Sequence, residues 1–310
     1  MPLPHHNPPL IVILGPTAVG KTETALQLAE TLNGEIISAD SRLFYRGMDI
    51  GTAKPSPAEL ERVPHHLVDV AAPDETWSLA MFQRAARAAI AEIHARERLP
   101  LLVGGTGQYI RAVTEAWEIP EAAPDFRLRE ALENWAVSVG PDGLHARLAE
   151  VDPDAAARID PRNLRRTIRA LEVILLTGER FSTQKSRGEA PYRVLQLGLT
   201  RPRPELYARI DARIEAMLSA GFVDEVRTLL AAGYSPDLPA MSAIGYRQVV
   251  QYLQGEIDLD EAVMLMKRFT RRFVRRQANW FKLDAPDIRW FRAGEGATAQ
   301  MAAVIDDFLR

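Results

Sequence analysis

The chain has no cysteine. That excludes disulfides, thiol catalysis and Cys-based zinc sites, and it suits a reducing compartment. No targeting segment is expected. The start, Met-Pro-Leu-Pro-His-His-Asn-Pro-Pro, carries proline and histidine but no apolar h-region, and residues 1–8 read as a disordered tail. The apolar run Leu10–Leu14 is far too short to span a bilayer. The expected setting is cytoplasmic, without membrane contact, and the expected state is a monomer. Net charge is also small, −3 over 310 residues, so any surface for a polyanion must be local. No internal repeat or low-complexity segment stands out. What is present is ordinary for a globular protein: 47% hydrophobic and 25% charged residues, in a chain long enough for one large domain or two modest ones.

One stretch carries chemistry on its face. Gly15, Pro16, Thr17, Ala18, Val19, Gly20, Lys21 and Thr22 fit G-x-x-x-x-G-K-[ST], the phosphate-binding P-loop. The context fits as well. Leu10–Leu14 reads as a buried parallel strand, and Ala25, Leu28, Ala29 and Leu32 recur at helical spacing after the loop. Glycines let the backbone wrap an anion, and the helix N-terminus favours negative charge. Lys21 supplies a point charge, and the Thr22 hydroxyl suits Mg²⁺.

The next strands place further candidates on the same sheet edge. Glu35–Asp40 reads as a second strand with Asp40 and Ser41 at its carboxyl end, where open parallel sheets bind ligands. Asp40 either faces a substrate or caps a helix. Residues 42–76 are rich in Gly, Pro and charge; Arg46–Pro55 reads as a long ordered loop, and Pro64–Val70 as a third strand that includes Asp69. His65 and His66 have no third ligand nearby and read as structural or surface groups. A helix is expected from Ser78 to Arg98, then a fourth strand, Leu99–Val103. Many P-loop ATPases end this strand with an acid; here Gly104-Gly-Thr-Gly follows. Those glycines permit either close approach by a ligand, with Thr106 and Tyr109 as contacts, or a tight strand–helix turn.

From Glu118 the pattern turns helical. Helices are expected at Phe126–Trp135, Leu144–Val151, Asp154–Ile159 and Leu164–Leu176, followed by a polar loop at Thr183–Pro191. Residues 118–190 thus form a helical insertion in a core of 8–117 and 191–310. Tyr192–Leu199 returns to strand, and helices follow at Pro204–Ala220, Val223–Ala232, Ser242–Leu253 and Asp260–Trp280. On the last, Lys267, Arg268, Arg271, Arg272, Arg275 and Arg276 share one face without interleaved acids, which concentrates positive potential as a polyphosphate backbone requires. The default for such a run is a solvated face. The fold class expected is α/β: a P-loop NTPase-like core with a parallel sheet flanked by helices, plus the helical insertion.

Together these stretches resemble the tRNA dimethylallyltransferases, also called tRNA isopentenyltransferases. The likeness rests on Gly15–Thr22, Ile36–Ser41, Tyr45–Pro55, Leu102–Gly107, Arg169–Glu172, Gly245–Gln248 and Arg275–Gln277, in the family's order. It covers about residues 10–285, and the run Gly47–Pro55 is the most specific part. The resemblance implies transfer of a dimethylallyl group from dimethylallyl diphosphate to N6 of the adenosine 3′ of the anticodon, in tRNAs reading codons that begin with U. The P-loop then holds a diphosphate leaving group with Mg²⁺, which accounts for the missing acid. Thr17 and Arg213 match positions that help hold the diphosphate, and Asp40 matches the residue that deprotonates the amine. Asp40, Ser41, Arg42 and Leu43 match tRNA-contacting segments, as do Thr106 and the stretch Arg165, Arg166, Thr167, Ile168 and Arg169. So do Ser242, Ala243, Ile244, Gly245, Tyr246 and Arg247, and Arg275, Arg276 and Gln277. The insertion is expected to clasp the anticodon stem-loop.

Three features depart from the family's pattern. Val19 stands where Ser is common, Gln108 where Leu or Met is common, and no C-terminal zinc finger is present, which points to the bacterial form. Two other classes share parts of the pattern. A nucleoside or small-molecule kinase shares the P-loop and a strand-end Asp but leaves Gly47–Pro55 and the basic helix unexplained. A nucleotide-switched RNA-binding factor needs a γ-phosphate sensor, and no clear candidate for one is found.

Overall fold

The structure, a computed structural model, describes residues 7–117, 119, 125–183 and 190–310. Most of the tail (1–6) and of the polar loop (184–189) lies outside the described residues, as does Glu118, where the helical pattern begins. The chain divides into two compact units. One runs to Thr114 and resumes at Ala190; the other is Glu115–Glu189.

In chain order the first unit opens with β1 (Pro9–Leu14), α1 (Lys21–Thr31), β2 (Gly34–Ser38), α2 (Pro57–Arg62), β3 (His65–His66), α3 (Leu79–Ala95), β4 (Leu99–Gly104) and α4 (Gly107–Thr114). The second unit holds α5 (Phe126–Val151), α6 (Pro153–Arg158) and α7 (Leu164–Thr177). The first then resumes with β5 (Arg193–Thr200), α8 (Arg203–Ser219), α9 (Phe222–Ala231), α10 (Tyr246–Leu253), α11 (Leu259–Gln277), β6 (Ile288–Arg292) and α12 (Ala297–Leu309).

The six strands form one parallel sheet in the order β3-β2-β4-β1-β5-β6. β1 lies in the middle, with Ile11 opposite Leu101 of β4 and Leu195 of β5. Leu10–Leu14 shows no polar alternation because helices cover both faces. Side chains still alternate in direction. Ile11 and Ile13 pack with Leu28, Ile210 and Ile305, while Leu10, Val12 and Leu14 pack with Phe82, Ile90 and Ile110. The expected α/β core with a helix-flanked parallel sheet is the fold observed. No described helix is long and apolar enough to cross a membrane.

Four elements differ from expectation. The strand at Pro64–Val70 shrinks to His65–His66, because Leu67 and Asp69 take left-handed φ values of 61° and 56° and leave the ladder. Between the expected loop Arg46–Pro55 and β3 lies α2, started by a capping box in which Ser56 accepts from the Glu59 amide and the Glu59 carboxylate accepts from the Ser56 amide. Beyond the basic helix, β6 extends the sheet and α12 buries Met301 and Ile305 in the core.

In the second unit α5 kinks at Gly140 (φ 76°), just before Pro141, so it serves as the two helices expected there. Leu132, Leu144, Leu148, Ile168 and Leu171 form its core. Against that core lies Glu172, fully buried, accepting from Arg129 Nε and Nη2 (2.8 and 3.0 Å), Arg169 Nη1 (2.6 Å) and the Asp125 amide (2.9 Å). Burial pushes its carboxyl up, but these donors outweigh that and hold it below the ordinary value. Removing one partner of a buried pair costs about 3–5 kcal/mol. Glu172→Ala is expected to destabilise this unit by that amount, read as loss of helical circular dichroism on heating. In the unsubstituted protein the contribution is complete above the unfolded carboxyl's pKa of about 4.3 and disappears as pH falls through the lower folded value.

Candidate active site

β1 delivers the chain to a loop whose backbone only small residues follow easily. Gly15 and Gly20 have φ of 149° and 114°, and Ala18 is left-handed at 65°. A Cβ on Gly15 would lie 2.6 Å from the Leu199 carbonyl oxygen on β5. Val19 is fully buried and anchors the loop in the core, a role for which an apolar residue is apt. Two arginines pin the loop's carbonyls: Arg201 Nε donates to Val19 O (2.9 Å) and Arg209 Nε to Ala18 O (2.8 Å). Neither was singled out as a loop anchor from sequence. Lys21 Nζ donates to the carbonyls of Gly15 (3.0 Å) and Pro16 (2.9 Å).

The loop floors a cavity of about 580 Å³ lined by Thr17, Lys21, Thr22, Asp40 and Arg213, with Ile36, Leu43, Val68 and Val103 as apolar wall. Asp40 sits just past the end of β2. Its Oδ1 accepts from the Arg42 amide (3.0 Å), so it caps a turn, and no helix begins there. Arg213, on α8, makes no hydrogen bond or ion pair with a described residue; desolvation lowers its pKa and the Asp40 charge opposes that. Desolvation also lowers Lys21, to about 8, with Asp40 raising it and Arg213 lowering it further. Lys21, Arg213 and the Asp40 carboxylate therefore feel one another within the cavity, whose lining also includes Arg209, Glu23 and Glu59.

The glycine turn after β4 is filled by protein. A Cβ on Gly104 would lie 2.6 Å from Ala39 O, and one on Gly107 would lie 2.5 Å from Trp280. At Gly105 a Cβ would overlap Gln277 Nε2. The glycines thus admit α11 and the segment just beyond it, the tight-turn alternative. Thr106 and Tyr109 are half-buried there. Tyr109 stacks on Phe82 (4.5 Å between centroids), and burial pushes its hydroxyl up to about 12.

The specific run Gly47–Pro55 is held by residues the sequence reading passed over. Glu225 of α9 accepts from the amides of Asp49 (2.9 Å), Ile50 (2.6 Å) and Gly51 (3.2 Å). Tyr246 donates its hydroxyl to the same carboxylate (2.5 Å). Lys54, its side chain 4% exposed, donates to Tyr45 O (2.9 Å) and pairs with Asp49 and Asp69 (both 2.5 Å). Asp69 is thereby committed to the loop.

Several expected RNA contacts are turned away from solvent. Thr167, Ile168, Ala243, Gly245, Tyr246 and Gln277 are buried. Ile168 belongs to the core of the second unit, and Tyr246 packs edge-on against Phe222. Ile244, Ser41 and Leu43 are half-buried, and Arg42 donates to Pro239 O (3.0 Å). Arg169 is engaged by Glu172. Arg165, Arg166, Ser242, Arg247, Arg275 and Arg276 are exposed. The face of α11 is less uniformly positive than its own sequence suggests. Lys267 pairs with Glu215 (2.9 Å) and Arg271 with Asp211, both acids on α8, a helix distant in sequence.

A glycine loop closing one end of a central parallel strand, with a carboxylate facing two cations over it, places the chain among P-loop-like enzymes that act on phosphorylated substrates. The family model described as IPP transferase matches residues 43–284, and the one described as isopentenyl transferase matches 8–71. The tRNA dimethylallyltransferase of Roseiflexus sp. (strain RS-1) is 54% identical over 297 residues, which is 96% of this chain and 97% of that one. That of Chloroflexus aurantiacus (strain ATCC 29366 / DSM 635 / J-10-fl) is 56% identical over 273 residues, 88% of this chain and 92% of that one. Among solved structures, the tRNA isopentenylpyrophosphate transferase of Bacillus halodurans superposes with a TM-score of 0.72 at 43% identity, covering 97% of this chain and 96% of that one. A eukaryotic dimethylallyltransferase acting on tRNA gives a TM-score of 0.83 at 28% identity, covering 97% and 79%. The chain belongs to the tRNA dimethylallyltransferase family, whose members are prenyltransferases.

Proposed function

We propose that this chain transfers the dimethylallyl group of dimethylallyl diphosphate to N6 of the adenosine 3′ of the anticodon, in tRNAs reading codons that begin with U. The observation that carries the reading is the cavity that Lys21 of the P-loop and Arg213 of α8 line together with Asp40, within a chain of this family. The C1–O bond of the donor breaks and its electron pair leaves with the diphosphate. The N6–C1 bond forms, and the N6 proton passes to the Asp40 carboxylate. Lys21 and Arg213 take the charge that develops on the leaving group, where fixed donors in a site shielded from water act most strongly. Thr17 and the loop amides bind the same group.

The residues present fit Mg²⁺ of the kind that keeps waters and binds through substrate phosphates. No cluster of metal-ligating acids or histidines occurs among the described residues, but the Thr22 hydroxyl lies in the cavity beside Lys21 and Asp40. When bound, the ion neutralises charge on the diphosphate. The target base must leave the anticodon-loop stack to reach Asp40, at a cost of a few kcal/mol. The exposed Arg165, Arg166, Arg247, Arg275 and Arg276 offset part of that cost by contacting RNA phosphates. Purified protein with Mg²⁺, labelled dimethylallyl diphosphate and an unmodified tRNA carrying adenosine after the anticodon is expected to yield labelled RNA. No label, together with ATP turnover, would move the assignment to a kinase.

A further inference from the structure

The expectation for Gln277 was an RNA contact, yet the residue is 4% exposed and its side chain is bonded to two loops. Its Oε1 accepts from the Thr17 amide in the P-loop (2.9 Å), and its Nε2 donates to the Gly105 carbonyl beyond β4 (3.0 Å). We propose that Gln277 is a positioning residue for the diphosphate cradle, setting the P-loop against the β4 turn, and that it makes no contact with RNA. The proposal rests on the reading that this loop holds the donor's diphosphate.

The chemistry of the bridge selects the residue. One end must accept and the other must donate, which an amide does and a carboxylate does not. Asparagine is one methylene short of spanning both partners. Gly105 is the complementary half, since a Cβ there would overlap Nε2 and lie 3.1 Å from Gly15 O. Without the bridge the Thr17 amide would lose its partner in the loop that floors the donor cavity. Further anchors keep the end of α11 in place when the bridge is cut. Trp280 lies over Gly107, and Arg111 Nη2 donates to Trp280 O (3.1 Å). The exposed arginines of α11 therefore belong to an element tied directly to the donor cradle.

The test is a double-mutant cycle on Gln277→Ala and Gly105→Ala. Binding of inorganic pyrophosphate with Mg²⁺ is read by calorimetry, tRNA binding by filter retention, and folding by circular dichroism. Gln277→Ala is expected to weaken pyrophosphate about tenfold or more, as loss of a buried hydrogen-bond partner does. It is also expected to raise the donor KM in parallel and to leave tRNA affinity within about twofold. Gly105→Ala is expected to weaken pyrophosphate alone as well, and to cost less on top of Gln277→Ala than it does alone, because Nε2 is then gone and only the contact with Gly15 O remains. Gln277→Glu keeps the size and is expected to bind pyrophosphate worse than Gln277→Ala, since it also adds a negative charge. Weakened tRNA with unchanged pyrophosphate would overturn the proposal, as would additive losses in the double variant. If the unsubstituted protein binds ATP and not pyrophosphate, the donor reading fails, and the same cycle run on ATP still decides the role of Gln277.

Discussion

Asp40→Asn is expected to lower single-turnover prenyl transfer by about 10²–10⁴-fold while leaving tRNA affinity within about twofold. The exocyclic amine of adenine is a poor nucleophile, because its lone pair is delocalised into the ring. It becomes an adequate one only if its proton leaves as the new bond forms, and Asp40 is the carboxylate lining the cavity close enough to Lys21 and Arg213 to affect both. Asparagine keeps the oxygen that accepts from the Arg42 amide, so the turn at the end of β2 should survive and only the basicity is lost. Asp40→Ala removes that hydrogen bond as well, and the two variants together separate base chemistry from the shape of the turn. A second effect follows from charge. Asp40 supports the protonated form of Lys21. Without it the lysine gives up its proton more readily, so the variant should bind donor progressively worse than the unsubstituted protein as pH rises through 8. Undiminished transfer in Asp40→Asn would remove the residue from the role of base, and a fall confined to tRNA binding would make it a base-recognition group.

The parts of this molecule that were legible in the sequence are those whose signal is local. Leu10–Leu14 reads as a buried strand because every residue is apolar, and the P-loop reads as such because its glycines and lysine lie within eight positions. Asp40 was placed by its position at a strand end, which needs only the β2 pattern. What escaped depends on partners far apart in the chain. The Gly104–Gly107 turn looks open to a ligand until Gln277 and Trp280 are seen to fill it, more than 160 residues later in sequence. The acids that neutralise Lys267 and Arg271 lie on α8, so the face of α11, read alone, looked unpaired. Glu225 gives no local hint that it holds the Asp49–Gly51 amides, being one of two acids in the first turn of an ordinary short helix. β6 escaped because an edge strand of five residues, most of them partly or fully exposed, shows neither the apolar run of a central strand nor a long alternation. In each case the helix or strand could be read from its own residues, while the service it performs is set by a contact that only the fold creates.

The pH dependence of donor binding is expected to have one descending limb set by Lys21. Desolvation lowers its pKa from the ordinary 10.5 to about 8, with Asp40 opposing and Arg213 reinforcing the shift. A diphosphate favours the charged amine, so the lysine's pKa is higher in the complex. Below about pH 8 the free protein already carries the proton, so this group adds no slope to the affinity there. Above it, each binding event must take up a proton, and affinity falls by up to about tenfold per pH unit. Calorimetry of pyrophosphate binding in buffers of differing ionisation enthalpy should show, on that limb, up to one proton more taken up by the unsubstituted protein than by Lys21→Met, and no such difference below pH 7. Lys21→Arg, charged throughout, should flatten the curve; Lys21→Met should flatten it at low affinity and reduce turnover by about 10²–10³-fold, the loss typical of removing one donor from a developing anion. The ligand-free fold obeys the opposite sign. Because the folded pKa is depressed, the unfolded chain holds more protons between about 8 and 10.5, so this group's contribution to stability rises with pH across that window. Lys21→Met should therefore raise the melting temperature of the ligand-free protein at pH 7 while lowering the gain in melting temperature that pyrophosphate confers. A strained cation kept at the floor of the cavity is what a diphosphate site requires, and stabilisation by the same substitution that disables binding would show that the strain serves the ligand.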